Sequence, residues 1–149
     1  MEIRMARIRL DIPEDLDFSI QVRVRVGDIN YGNHLGNDAL LALLHEARLR
    51  FLAARGCSET DIGGCGLIMA DAALVYRAQA FLGDNLTISV GVADFTGSGC
   101  DIVYRVVRAA DAALIALAKT GIVLFDYERG KLVRMTDAVR QTLSRFSDE

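Results

Sequence analysis

One stretch of this chain is written in the period of a helix, and nearly everything around it in the period of strands. From Asn37 to Arg55, the residues Leu40, Leu44, Ala47 and Phe51 fall in one narrow stripe at about 100° per residue. Leu41 and Leu43 widen that stripe, whereas His45 falls roughly opposite it and reads as solvated. Asn37 suits the N-cap, Asp38 the electropositive first turn, Arg50 and Arg55 the electronegative end, and Gly56 a left-handed stop. A lone, largely apolar helix needs a sheet broad enough to wrap it, and the outer face and edges of such a sheet need cover that a second copy can supply.

The remaining segments provide that sheet. Residues 18–26, FSIQVRVRV, alternate strictly, with Val22, Val24 and Val26 on one face and Gln21, Arg23 and Arg25 on the other. Further strands are expected over Leu67–Ala78, Leu86–Phe95, Asp101–Arg108 and Ala113–Tyr127, with turns at Gly83-Asp84-Asn85, Thr96–Gly99 and Asp111. Ala113–Lys119 is rich in helix formers, but Gly121 and the β-rich run 122–125 continue it as strand. A hairpin at 128–131 leads to Leu132–Met135, and Thr136 caps a short terminal helix with Val139, Leu143 and Phe146 on one side. Helix and sheet are segregated, so the class is α+β: an antiparallel sheet of five to six strands around one long helix.

Composition removes several alternatives. At 149 residues and 52% hydrophobic content the chain is expected to be a single domain, 1–149, that buries its own core. Seventeen basic against twenty acidic residues leave no cationic excess for nucleic acid. Cys57, Cys65 and Cys100 are odd in number and lack CxxC spacing, which argues against a disulfide framework or zinc site and for free thiols in a reducing cytoplasm. The N-terminus alternates charged and apolar residues unlike a signal peptide, and the longest apolar run, 112–118, is too short to insert in a membrane.

Chemistry concentrates in the loop Gly27-Asp28-Ile29-Asn30-Tyr31-Gly32-Asn33-His34-Leu35-Gly36-Asn37. It brings Asp, Asn and His to a helix start, where unpaired N–H groups and a positive partial charge can hold a carbonyl as it becomes an oxyanion. A nearby carboxylate is the complementary part, as nucleophile or as base for water.

Through Asp28, Asn30, His34, Asn37 and Glu46-Ala47-Arg48, the stretch VRVGDINYGNHLGNDALLALLHEARLRFLAARG resembles the motif region of hotdog-fold thioesterases of the 4-hydroxybenzoyl-CoA thioesterase-like group. Tyr76 followed by Gly83-Asp84 resembles the family's second strand and turn. Two positions depart from the pattern: Asn33 stands where Gly is usual and Gly36 where Asn is usual, with a glycine displaced to Gly32. The resemblance implies hydrolysis of an acyl-CoA or acyl-carrier thioester without metal or organic cofactor, by a homodimer or homotetramer with active sites at the dimer interface. It places Asp28 at the catalytic aspartate, with His34 and Glu46 as further catalytic candidates. Asn30, Gly36, Asn37, Asp71 and Ser98 are the substrate-binding candidates.

Each candidate has a plainer reading. Asp28 can bond its own loop, Asn30 and Asn33 can form turns, His34 can orient the loop, and Glu46 can pair with Arg50 at i+4. Asp71 suits a half-exposed strand position, Ser98 a turn, and Lys119 faces solvent or CoA. Two other functions are open: a hotdog-fold enoyl-CoA hydratase or dehydratase, whose loop carries a proline and an earlier histidine, and a non-catalytic acyl-CoA-binding protein.

Overall fold

The computed structural model describes residues 7–144. Its elements run β1 (Phe18–Arg23), a 3-10 turn (Val26–Asp28), α1 (Asn37–Ala54), β2 (Gly66–Tyr76), β3 (Asn85–Ala93), β4 (Gly99–Arg108), β5 (Leu114–Asp126), β6 (Lys131–Leu132) and α2 (Asp137–Ser144). The sheet is antiparallel throughout, in the order β1-β3-β4-β5-β2, with β6 paired to β5. The Ala113–Lys119 segment is strand, as expected.

Helix α1 lies against β1 and β3. Leu40, Leu44, Ala47 and Phe51 are buried on Ile20, Leu86, Ile88, Val90 and Ile102, and the Phe51 ring meets Phe18 edge-on at 5.7 Å. Each large apolar side chain so buried contributes about 2 kcal/mol of transfer free energy. Alternation on β4 sends Ile102, Tyr104 and Val106 inward and Asp101, Val103 and Arg105 outward. The outer face is partly covered by the segment preceding β1. There the Arg105 guanidinium donates to the carbonyls of Ile12 (2.9 Å) and Pro13 (2.8 Å), and Leu16 fills the space left by the missing side chain of Gly91.

Several expected boundaries are corrected. The first strand ends at Arg23, because the chain tightens into a 3-10 turn closed by Asp28 N–H to the Arg25 carbonyl, 2.9 Å. Val26 therefore leaves the buried face and is 75% exposed. The N-cap of α1 is Gly36, one residue before Asn37, and no side chain caps it. The last strand is two residues long, because Val133 N–H reaches the Leu124 carbonyl and Met135 N–H the Gly97 carbonyl outside a regular ladder. Phe146 lies outside the described residues.

Candidate functional site

The loop from Ile29 to Leu35 closes on itself and on the segment before β3. Asn30 N–H donates to the His34 carbonyl at 2.9 Å, Asn33 N–H to the Asn30 carbonyl at 3.0 Å, and Leu35 N–H to the Ala80 carbonyl at 2.8 Å. Asn33 takes the left-handed conformation at φ 65°, which asparagine tolerates better than most residues. The Asn30 carboxamide oxygen accepts the Gly32 N–H at 2.9 Å.

Gly32 is required for close approach: a Cβ there would stand 2.9 Å from His34 Nε2 and 3.3 Å from Asn30 Oδ1. Both side chains thus crowd the same side of residue 32. The loop ends on Gly36, whose N–H donates to the Asp28 carbonyl at 2.9 Å. That bond fixes residue 28 beside the helix start. With no side chain capping α1, the N–H groups of Asn37, Asp38 and Ala39 have no protein acceptor among the described residues.

This helix start opens into a cavity of about 840 Å³. Its floor is apolar, from Leu35, Leu40, Ala80 and Ile115, and its walls carry the polar groups of Asn30, His34, Asn37, Asp38, Tyr76, Arg77 and Gln79. The Tyr76 phenol is pushed up by burial, and the Asp38 carboxylate adds to the shift. Tyr76 therefore stays a protonated hydroxyl donor across the neutral range.

Of the residues singled out from the sequence, Asn30, His34, Gly36 and Asn37 meet in this cavity. Asp28 does not line it; its carbonyl accepts the N–H of Gly36, which does. One of its carboxylate oxygens, Oδ2, accepts the Arg25 N–H at 2.8 Å, and Oδ1 has no partner among the described residues. Glu46 pairs with Arg50 on the helix surface. Asp71 sits on β2 facing outward, where Lys119 bridges it to Asp101 at 3.1 and 3.3 Å. Ser98 lies at the far end of the β4–β5 ladder from Ile115. Within one chain these last three do not reach the cavity.

The sequence reading missed Asp38, Tyr76, Arg77 and Gln79 as wall residues. Asp38 was legible as a first-turn residue beside the loop. Arg77 and Gln79 carried no signal, since their approach to α1 follows from strand pairing. It also missed a buried polar chain in the core. Arg48 donates to Glu59 at 2.7 Å and to the Tyr104 hydroxyl at 3.2 Å, which lies 2.6 Å from Thr120 Oγ1. Burial alone would lower the Arg48 pKa, but Tyr104 and Glu59 raise it. His45, exposed as expected, reaches the same Glu59 at 3.1 Å.

Comparison with known proteins identifies the family and the fold. Residues 24–143 match the model of the thioesterase-like superfamily. The sequence finds no match among curated proteins. A 1,4-dihydroxy-2-naphthoyl-CoA thioesterase from Synechocystis superposes with a TM-score of 0.76 at 21% identity, over 85% of this chain and 94% of its own. A thioesterase superfamily protein from Jannaschia sp. CCS1 gives 0.76 at 24% identity, over 88% and 83%. A Staphylococcus aureus protein in complex with CoA gives 0.75 at 14% identity, over 84% and 80%. At these identities the structural likeness establishes the fold, while the family match covers most of the sequence. The chain therefore belongs to the thioesterase-like superfamily and is a hotdog-fold thioester hydrolase.

Proposed function

We propose that the cavity at the start of α1 hydrolyses an acyl-CoA thioester, with Asp28 supplying the working carboxylate. The observation that carries this reading is the uncapped helix N-terminus: Asn37 and Asp38, whose N–H groups have no acceptor among the described residues, line a cavity with apolar residues beside them. A thioester oxygen laid against the Asn37 and Asp38 amides meets donors already oriented for the charge that develops on it. Leu35, Leu40, Ala80 and Ile115 offer the acyl chain an apolar surface. Arg77, which has no ion-pair partner among the described residues, offers a cation to the phosphate-bearing carrier. The CoA complex of the Staphylococcus aureus protein, on the same fold, supports CoA over a protein carrier.

In this reading the free oxygen of Asp28 takes a proton from water, and the water oxygen adds to the carbonyl carbon. The tetrahedral oxyanion rests on the helix amides. Its collapse breaks the C–S bond, and the proton goes to the departing thiolate. Direct attack by Asp28, with a mixed anhydride then cleaved by water, uses the same geometry. The His34 carbonyl, accepting the Asn30 N–H, helps close the loop that leads from Asp28 to the helix.

The site is shared in this proposal. Strand β2 is an edge of the sheet, eleven residues long, and its centre is exposed. A second copy aligned on that edge covers it and brings groups such as Asp71, Glu46 or Ser98 towards the partner's cavity. The unpaired thiols of Cys57, Cys65 and Cys100 suit a reducing, cytoplasmic setting.

Thiol release from short, long and aromatic acyl-CoAs tests the activity. Asp28→Asn is expected to lower kcat by about 100-fold or more. Wild-type turnover in that variant would remove Asp28 from the chemistry.

A further inference from the structure

The cavity holds a carboxylate that hydrolysis does not require. Asp38 lines the wall one turn-position inside the helix start, two residues beyond the N-cap. Its carboxylate makes no hydrogen bond and no ion pair among the described residues, unlike Asp28, Asp71, Asp84, Asp101 and Asp111. It also has a defined position. A Cβ on Gly36 would stand 2.7 Å from Asp38 Oδ1, so the absence of a side chain at 36 lets this oxygen fold back over the helix start. Tyr76 lines the same cavity, where burial and then the Asp38 carboxylate push its phenol up. The missing partner and the folded-back position together place an unpaired carboxylate beside the amides proposed to hold the thioester oxygen.

The geometry points to Asp38 as a specificity residue that excludes acyl groups carrying their own carboxylate close to the thioester. This inference rests on the acyl-thioester reading of the cavity and deepens it by naming the acyl class. A neutral short acyl group meets only the dipole of the helix and the apolar floor. A succinyl group places a second anion two methylenes beyond the reacting carbonyl, in the cavity that Asp38 lines. Like charges sharing a partly open cavity repel, and that repulsion acts on selection. The helix macrodipole offsets only part of this, since it amounts to about half a positive charge. Arg77 lies on the same cavity but follows β2, with its N–H bonded to the Ile115 carbonyl at 2.8 Å, and is the cation assigned above to the carrier.

The test compares butyryl-CoA with succinyl-CoA, which share chain length and differ in charge. Wild-type kcat/KM is expected to favour butyryl by about tenfold or more, and Asp38→Asn to shift the ratio about tenfold towards succinyl, ~1.4 kcal/mol. Asp94→Asn makes the same change of net charge on an exposed residue outside the cavity and leaves the ratio where it was. Equal wild-type rates, or a ratio unmoved by Asp38→Asn, overturn the inference while leaving hydrolysis standing. A wild-type preference for succinyl that disappears in Arg77→Gln overturns it too and gives the control to the guanidinium. Kd values for the analogues with a methylene in place of the thioester sulfur separate the two readings. Charge discrimination in binding that Asp38→Asn abolishes, without turnover of either thioester, supports the role of Asp38 and removes hydrolysis of this acyl class. Equal binding of both analogues by wild type and variant overturns it.

Discussion

A single added carbon at position 32 would collide with His34 Nε2 and crowd the Asn30 carboxamide. The Asn30 carboxamide is held by the Gly32 N–H, so the His34 ring is the neighbour that turns aside. Gly32→Ala is therefore expected to displace the histidine and lower kcat/KM about tenfold or more, while the melting temperature moves by only a few degrees. Residue 32 is exposed and its backbone angle suits any amino acid, so the cost falls on the site and not on the fold. Enzyme assay beside thermal melting checks this. Unchanged activity would show that the approach of His34 and Asn30 to Gly32 has no bearing on turnover. The residue pattern around this glycine was readable in the sequence as a polar loop before a helix. Its inward crowding was not, because that depends on which way two side chains turn.

Helix α1 is held to the sheet by more than its apolar stripe. Arg48 falls about 40° from Leu44 around the helix axis, inside the stripe, and that angle was available from the sequence. What the sequence did not show was a partner set for it, since Glu59, Tyr104 and Thr120 come from a loop and two strands. The strands themselves were legible through alternation, and the helix through its period. The N-cap was displaced to Gly36 because the loop ends on a main-chain bond to Asp28, which no side-chain preference encodes. Burial works against the Glu59 carboxylate, but hydrogen bonds from Arg48 and His45 carry its pKa below the usual value. A group depressed in this way stabilises the fold above the carboxylate's unfolded pKa and loses that contribution as pH falls through its folded value. Glu59→Gln, which leaves a buried guanidinium without its anion, is expected to cost about 2 kcal/mol at neutral pH. The gap from wild type should close below the carboxylate range. Urea unfolding at pH 7 and at acidic pH measures it, and a gap independent of pH would show that the charge of Glu59 contributes nothing.

At the scale of the molecule the sheet has two unequal borders. One is β1, six residues long; the other is β2, eleven residues long and bulged between Met69 and Asp71. A long free edge invites pairing, and a bulge restricts which strand can fit. The protein is expected to sediment at twice the chain mass or a multiple of it in active solutions. Full activity at the mass of a single chain would remove the shared site. The back of the sheet is organised differently. Arg105 grips two main-chain oxygens of the leading segment, at Ile12 and Pro13, instead of any side chain there. The attachment is consequently indifferent to spelling: residues 12 and 13 are free to drift in evolution so long as the backbone passes the same point. At that point the contact rests on one guanidinium, while Leu16 anchors the segment further along over Gly91, so position 105 is where the tolerance at residues 12 and 13 ends.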